Sequence, residues 1–523
     1  MDTTRRGFMG SAAAFAAVGA TAGDAGAKGK HVLVSYTWSI DNIGDMGIHT
    51  GLLTLFREKM PEVPVTMLNI FKEDTRNFRY YRENLPSYHP RFDLVACPFK
   101  FIIGGDPYTP RDERPNEGTA RAKLEARWGK FRLEQFRQGC LPSAEAAKIA
   151  DDLLNRFPLE VYADLQALYP KAAKAFDDAA FVYYNSGTTL NFGRLGVKNL
   201  YTFALPYSMS LLIARAKGIP YGIGSQSIDY VAWPLDLVYR TLFAEAEFVY
   251  NRDTDSINYL RQCGYKFKDN SYRPDTTVFF HRSDEAYADA FLAKHGLERD
   301  RFAIFVPRLP AYLDGKPSDM ISHAVSPVRF EHQLAQMKEF IEKVTATGMK
   351  VVIAHETRDT VKGGLGKKYI WDRLVPAAQA LTVYLDHFWT PEEALGVYKR
   401  TALLASEEMH SMIMAIGNEV PILHCPFAEC GRKRQMIRDM GLGDRLVDID
   451  EPDAGERMFR VFKAVTADLP GERERLRKTA EWLEGLATKT VEKVRAVVKR
   501  RGESASCGSL GSTRAVFAKD AAS

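Results

Sequence analysis

Short apolar runs, each followed by a polar turn and a helical pattern, recur along most of this 523-residue chain and leave few folds open to it. They fall at residues 31–36, 63–68, 92–96, 181–184, 220–223 and 246–250, and again at 302–306, 350–354, 381–385, 402–405 and 421–424. Helical patterns alternate with these runs, so both faces of each sheet should be covered. Strands separated by helices of ordinary length are the pattern of parallel βαβ units. The spacing predicts an α/β protein of two Rossmann-like, doubly wound domains in tandem, over 28–285 and 300–452. Charged helical patterns at about 100–176 predict a helical insertion in the first domain. A linker is expected near 281–301, further charged helices over 453–502, and a small-residue, polar tail over 503–523.

The N-terminus has a different grammar. Arg5 and Arg6, with Phe8 close behind, precede an alanine-rich stretch over 11–20 that is too short to span a bilayer comfortably, and small residues follow at 20–22 and 25–27. The order resembles a twin-arginine export signal. It implies that residues 1–27 are a signal peptide, that the chain leaves by the twin-arginine route, and that its place is periplasmic or extracellular. No later segment has 18 consecutive apolar residues, so no transmembrane segment is expected in the mature chain.

Composition narrows the partners. With 71 Lys and Arg against 66 Asp and Glu, the formal charge is only +5, which does not argue for nucleic acid. The 6 cysteines are scattered with no CxxC pair, so neither a disulfide scaffold nor a metal knuckle is expected. The GxGxxG fingerprint is absent, which leaves a dinucleotide cofactor without support.

Loops at the carboxyl ends of parallel strands are where such folds bind ligands, and three of them carry chemistry. Asn42-Ile-Gly-Asp45 follows the first strand and suits a capping turn or a ligand contact. Gly224-Ser-Gln226-Ser-Ile228 follows a later one. Arg252, at the end of the next, could fork onto a carboxylate or phosphate, or could pair with Asp253 or Asp255 at the surface. In the second half, Glu407-Glu408-Met-His410 leads into an apolar helix, which places His410 near a helix N-terminus, where anions are attracted.

Taken in order, these stretches resemble the polysaccharide pyruvyl transferase family. The resemblance rests on Asn42 to Asp45, Gly218 to Ile228, Ala246 to Asp253, Pro274-Asp275, Val306-Pro-Arg308, His410 to Ile422 and Gly441 to Asp448. The family moves a pyruvyl group from phosphoenolpyruvate onto a sugar as a ketal and is similar to two-domain GT-B glycosyltransferases. The resemblance implies donor binding by Arg252 and proton transfer by His410, and Arg308 and Lys433 are expected to add to the positive charge on the donor. Acceptor contacts are expected from Asn42, Asp45 and Gln226. The chain departs from the family pattern at Glu408, where the family has an arginine, and near Cys430, where it has a lysine.

The expected activity is therefore addition of a pyruvyl ketal to a glycan or glycolipid from a small anionic donor, phosphoenolpyruvate being the possible co-substrate, with no cofactor and no metal. Two other readings use the same fold without phosphoenolpyruvate-dependent transfer. One is an exported glycan-binding protein with Trp233, Tyr312, Phe388 and Trp389 as sugar-stacking faces. The other is a ketal-removing enzyme in which Glu408 and His410 divide base and acid roles.

Overall fold

The computed structural model describes residues 31–104, 119–191, 200–308 and 327–511. The expected signal peptide and Tyr312 lie outside them. Two all-parallel sheets carry the fold. The first joins β1 (His31–Thr37), β2 (Val65–Asn69), β3 (Phe92–Ala96), β4 (Ala179–Tyr184), β5 (Tyr221–Gln226) and β6 (Val249–Asn251) in the order β3-β2-β1-β4-β5-β6. The second joins β7 (Phe302–Val306), β8 (Lys350–Ile353), β9 (Thr382–Tyr384), β10 (Leu403–Ser406) and β11 (Ile422–His424) in the order β11-β10-β7-β8-β9.

Both orders start in the middle, run outward one way, and return to the other side of the first strand. Each sheet thus has one point where the chain direction of winding reverses, between β1 and β4 and between β7 and β10. Ligands of open α/β sheets bind at such points, outside the carboxyl ends of the strands. Every residue of β1, β2, β4, β5 and β7 is buried, as helices on both faces require, whereas the edge strand β3 is half-exposed at its start. The fold is the expected α/β pair of Rossmann-like lobes with a GT-B-like arrangement.

Between β3 and β4, six helices among the described residues, from Phe99–Ile102 to Pro170–Asp177, form the insertion. They bury Phe136, Leu153, Phe157 and Val161 against the first sheet. The polar side of the insertion is pinned by Arg127, which donates to Asp152 at 2.9 Å and Glu160 at 2.8 Å.

The linker segment is helical over Glu285–His295, as its sequence pattern at 284–295 predicts, and that helix packs on the second lobe. Asp284 N donates to Glu392 O at 2.9 Å, and Arg400 pairs with Asp289 at 2.6 Å. After β11 the helix Ala454–Ala467 stays on the second lobe. The last helix, Leu469–Gly511, then turns back to the first and runs on past residue 502, where composition had placed the start of a tail; helix propagation needs only one bond per added residue. Leu476, Leu483, Val491 and Val494 are buried in the same core as Val32 and Val34 of β1. Lys493 reaches Asp269 at 2.8 Å and Trp482 stacks on Tyr272.

Candidate functional site

The two reversal points face each other, and the loops beyond them are stitched together along two seams. On one side the loop after β1 lies against the loop after β8. Ile43 N donates to Glu356 O at 3.0 Å, Arg358 N donates to Asp41 O at 2.8 Å, and the Arg358 side chain pairs with Asp41 at 2.7 Å. On the other side Arg432 pairs with Asp229, and Asp439 accepts from the backbone and hydroxyl of Thr254 at 2.7 and 2.8 Å. The chemically interesting side chains lie between these seams.

Asn42 caps the helix Ile43–Lys59, its Oδ1 accepting from Gly44 N at 2.7 Å and Asp45 N at 3.3 Å. The cap explains why the loop has an Asn followed by two small steps: the first free N–H groups of the helix need an acceptor. Asp45 stands half-buried in the first turn beside His410. Burial pushes its carboxyl up to about 6, with Glu356 adding to the effect and His410, Arg252 and Lys433 opposing it.

His410 opens the helix Met409–Ile416 after β10, and its Nδ1 lies 3.4 Å from Glu356 Oε1. The other oxygen of Glu356 accepts from Ser411 N at 2.8 Å and Ser411 Oγ at 2.7 Å. Burial alone would raise the Glu356 carboxyl. The hydrogen bond and charge of His410, the charge of Lys433 and the Ser411 hydroxyl outweigh it and hold the group below the usual carboxylate range. A carboxylate on one ring nitrogen fixes the orientation of the imidazole and leaves the other nitrogen for the reaction, the arrangement used by catalytic histidines generally. His410 Nε2 is buried and has no partner among the described residues.

Three charged groups meet next to this pair. Arg308, beyond β7, and Lys433, opening the helix Lys433–Asp439, both contact one oxygen of Glu408, at 3.0 and 3.5 Å. Glu407 points the other way. Its Oε2 accepts from Arg308 N at 2.6 Å, and burial, reinforced by Glu408, raises its carboxyl well above the ordinary range despite that bond. Cys430 is buried nearby, and its thiol is raised by burial in spite of Lys433 and Arg308.

The structure therefore brings together His410, Asp45, Arg308, Lys433 and Glu408, and departs from three sequence expectations. Glu408 is not the carboxylate that faces His410, because two cations hold it; that place is taken by Glu356. Arg252 does not project between the lobes. It is 2 % exposed, with Nε donating to Ser227 Oγ at 2.9 Å and Nη1 to Asp275 Oδ2 at 2.5 Å, and neither Asp253 nor Asp255 is its partner. Asp253 instead caps the helix Thr254–Gln262. Gln226 is also turned inward: its Nε2 donates to Asn185 O at 2.5 Å and its Oε1 accepts from Thr189 N at 3.1 Å, which fixes the loop after β4 and leaves no amide atom for a sugar. Of the aromatic candidates, Trp389 is fully buried and donates to His355 O, Phe388 lies under Arg358, and Trp233 is 39 % exposed.

Two sets of residues escaped the sequence reading. Glu356 belongs to no recognisable motif, although a Glu two places beyond the apolar run at 350–354, at the carboxyl end of an expected strand, is a usable signal. Gly47 and Gly51, which share one helix face with the glycine of the Asn42-Ile-Gly-Asp45 motif, Gly44, are the other. A Cβ at Gly44 would stand 2.2 Å from His410 Cγ, one at Gly47 would stand 2.9 Å from the Thr277 methyl, and one at Gly51 would stand 2.0 Å from Thr276 O. Gly44 lets the first lobe close onto the late histidine, while Gly47 and Gly51 seat the same helix against the 3-10 helix Thr276–Phe279.

The sequence model for polysaccharide pyruvyl transferase matches residues 42–426. The chain belongs to the polysaccharide pyruvyl transferase family. As a member of that family it is a transferase that modifies glycans. A search of curated proteins finds no match. Among solved structures it is similar to a UGT transferase from Siraitia grosvenorii in complex with UDP (12 % identity, 91 % of this chain and 100 % of that one, TM-score 0.46). It is similar also to UGT89C1 of Arabidopsis thaliana (14 %, 91 % and 100 %, TM-score 0.49) and to UDP-GlcNAc 2-epimerase from Neisseria meningitidis bound to UDP-GlcNAc (10 %, 89 % and 100 %, TM-score 0.46). For this family member no group of three or more His, Cys, Asp or Glu able to hold a metal occurs among the described residues, and no helix among them is long and apolar enough to cross a membrane.

Proposed function

We propose that this pyruvyl transferase family member builds a pyruvyl ketal on a glycan or glycolipid outside the cytoplasm, taking the three-carbon unit from a small anionic donor. The reading is supported above all by one observation: His410 is held through Nδ1 by Glu356, with Nε2 unpartnered among the described residues, where the two lobes meet. Export rests on Arg5 and Arg6 and the apolar stretch behind them.

With phosphoenolpyruvate as donor, the acceptor's first hydroxyl oxygen bonds to the enol carbon while the methylene carbon gains a proton and becomes a methyl group. The second hydroxyl then displaces phosphate, which leaves with the remaining proton, and the ketal is closed. His410 Nε2 is the group that hands a proton between hydroxyl and methylene carbon, and Glu356 stabilises the imidazolium in between. Such a shuttle accelerates a reaction by about 10²- to 10⁴-fold. Arg308 and Lys433 hold the donor's carboxylate end, since a guanidinium fork and an ammonium match it. Asp45, poised near pH 6 within reach of His410, orients the acceptor hydroxyl. Arg252 acts from below, setting the charge of Asp275 and the shape of the loop after β6.

The test is mass-spectrometric detection of pyruvyl addition to an acceptor oligosaccharide, with the three-carbon unit supplied both as phosphoenolpyruvate and as a pyruvylated glycoside. Transfer by the wild type, reduced by about 10²-fold or more in His410→Ala, is expected. Transfer that is indifferent to His410→Ala would remove the imidazole from the chemistry.

A further inference from the structure

The strongest unassigned feature is the way Arg308 and Lys433 are already occupied. Both converge on the same oxygen of Glu408, at 3.0 and 3.5 Å, and Glu408 is only 7 % exposed. One carboxylate oxygen inside a guanidinium and ammonium cradle is the geometry a ligand's carboxylate would adopt there. The triad's formal charge is +1, not +2. Glu356 beside it is also ionised but is matched by His410 at 3.4 Å, so Glu408 is the carboxylate that lowers the charge of the cradle itself. A donor bearing one carboxylate can share this cradle. A donor bearing a carboxylate and a phosphate must bring further negative charge against Glu408 at a few ångströms, where like charges are strongly disfavoured.

We infer that Glu408 sets a charge ceiling on the donor, so that the site takes a pyruvyl unit whose anionic part is a single carboxylate, as in a pyruvyl ketal already carried by a glycan. The inference rests on the transfer reading above and narrows its donor. The reaction is then ketal exchange. The two carbon–oxygen bonds of the donor ketal break in turn, each leaving oxygen takes a proton, and each is replaced by a bond to an acceptor hydroxyl that gives one up. Nothing is oxidised or reduced and no phosphate is formed. His410 carries each proton from the incoming to the departing oxygen.

Titration calorimetry on the full chain tests this with three probes: phosphoenolpyruvate, inorganic phosphate, and a methyl galactoside bearing a 4,6-pyruvyl ketal. The wild type is expected to bind the ketal about tenfold or more tightly than phosphoenolpyruvate, the effect of roughly one unfavourable charge contact. Glu408→Gln is expected to strengthen phosphoenolpyruvate binding about tenfold and to change ketal binding by less than about threefold. Wild-type binding of phosphoenolpyruvate as tight as the ketal overturns the inference, and so does an unchanged ratio in Glu408→Gln. Should that variant fail to fold, the wild-type ratio decides alone. The transfer reading fails separately: if ketal preference holds but His410→Ala still transfers at the wild-type rate, the charge ceiling stands and the proton shuttle does not.

Discussion

The Cα of Gly44 lies directly against the imidazole of His410, so that a methyl group built on it would stand 2.2 Å from the ring's Cγ. Two residues 366 positions apart in sequence thus define one contact, and the smallest side chain is what permits it.

Gly44→Ala should therefore damage activity and stability together. The ring or the helix Ile43–Lys59 must move, and overpacking of this kind costs roughly 1–3 kcal/mol. We expect a lower urea midpoint and a kcat reduced by about tenfold or more, because His410 loses its alignment with Glu356. Unchanged kcat in a variant that folds would show that the ring has room to spare.

Glu356→Gln keeps the shape and an acceptor for Ser411 but removes the charge that supports His410. The expected outcome is a kcat lowered by about 10²-fold with KM changed by only a few-fold, since the effect is on the proton shuttle rather than on binding. A merely structural role would lower thermal stability without separating kcat from KM.

Asp45 predicts a pH signature. Its carboxyl is raised in the fold to about 6, so ionisation opposes folding. Below the unfolded value near 4 there is no cost; the cost grows as pH rises toward 6 and is complete above it. Asp45→Asn should accordingly gain stability relative to the wild type between about pH 4 and 7, by no more than roughly 3 kcal/mol. The same variant should lack the ionisation near pH 6 in the rate profile. Parallel stability curves for the two proteins across that range would contradict the assignment.

The buried pair of Arg252 and Asp275 makes a fourth prediction. Arg252→Met leaves Asp275 charged and enclosed, which costs about 3–5 kcal/mol, while removing both charges in Arg252→Met/Asp275→Leu should recover much of the loss. Asp275 is held below its ordinary range: burial opposes this, but Arg252, His410 and the Thr277 N–H prevail. Its stabilisation is present above the unfolded value and is lost as pH falls through the lower folded one, so the wild type should weaken on acidification more steeply than the double variant. Chemical denaturation at pH 3 and pH 7 measures the difference.

Much of the architecture was legible because burial on both faces writes itself as unbroken apolar runs. The runs at 302–306 and 350–354, for instance, are neighbours β7 and β8 in register, Phe305 opposite Ile353. The loops after β1 and β10 were also legible as strand-to-helix turns, since Asn42 caps one helix and His410 stands in the first turn of the other. What sequence could not give was partnership. Arg252 has acidic residues one and three places away, yet its partner is Asp275, brought in by the turn into the 3-10 helix Thr276–Phe279. Glu408 stands two places before His410 but is drawn away by Arg308 and Lys433, both supplied from other strands' ends. Gln226 follows a glycine-rich strand and looked available; its amide is consumed by Asn185 and Thr189, contacts that exist only once β4 and β5 are paired.

The last helix adds a constraint on how the protein comes into being. Leu476, Leu483, Val491 and Val494 seal a core begun by β1, so the first lobe cannot be completed until the helix Leu469–Gly511 has been made. A protein shortened near residue 467 would keep its second lobe and expose a long greasy furrow on its first. Maturation of the reactive centre, which needs both lobes in contact, is thereby tied to the docking of that helix.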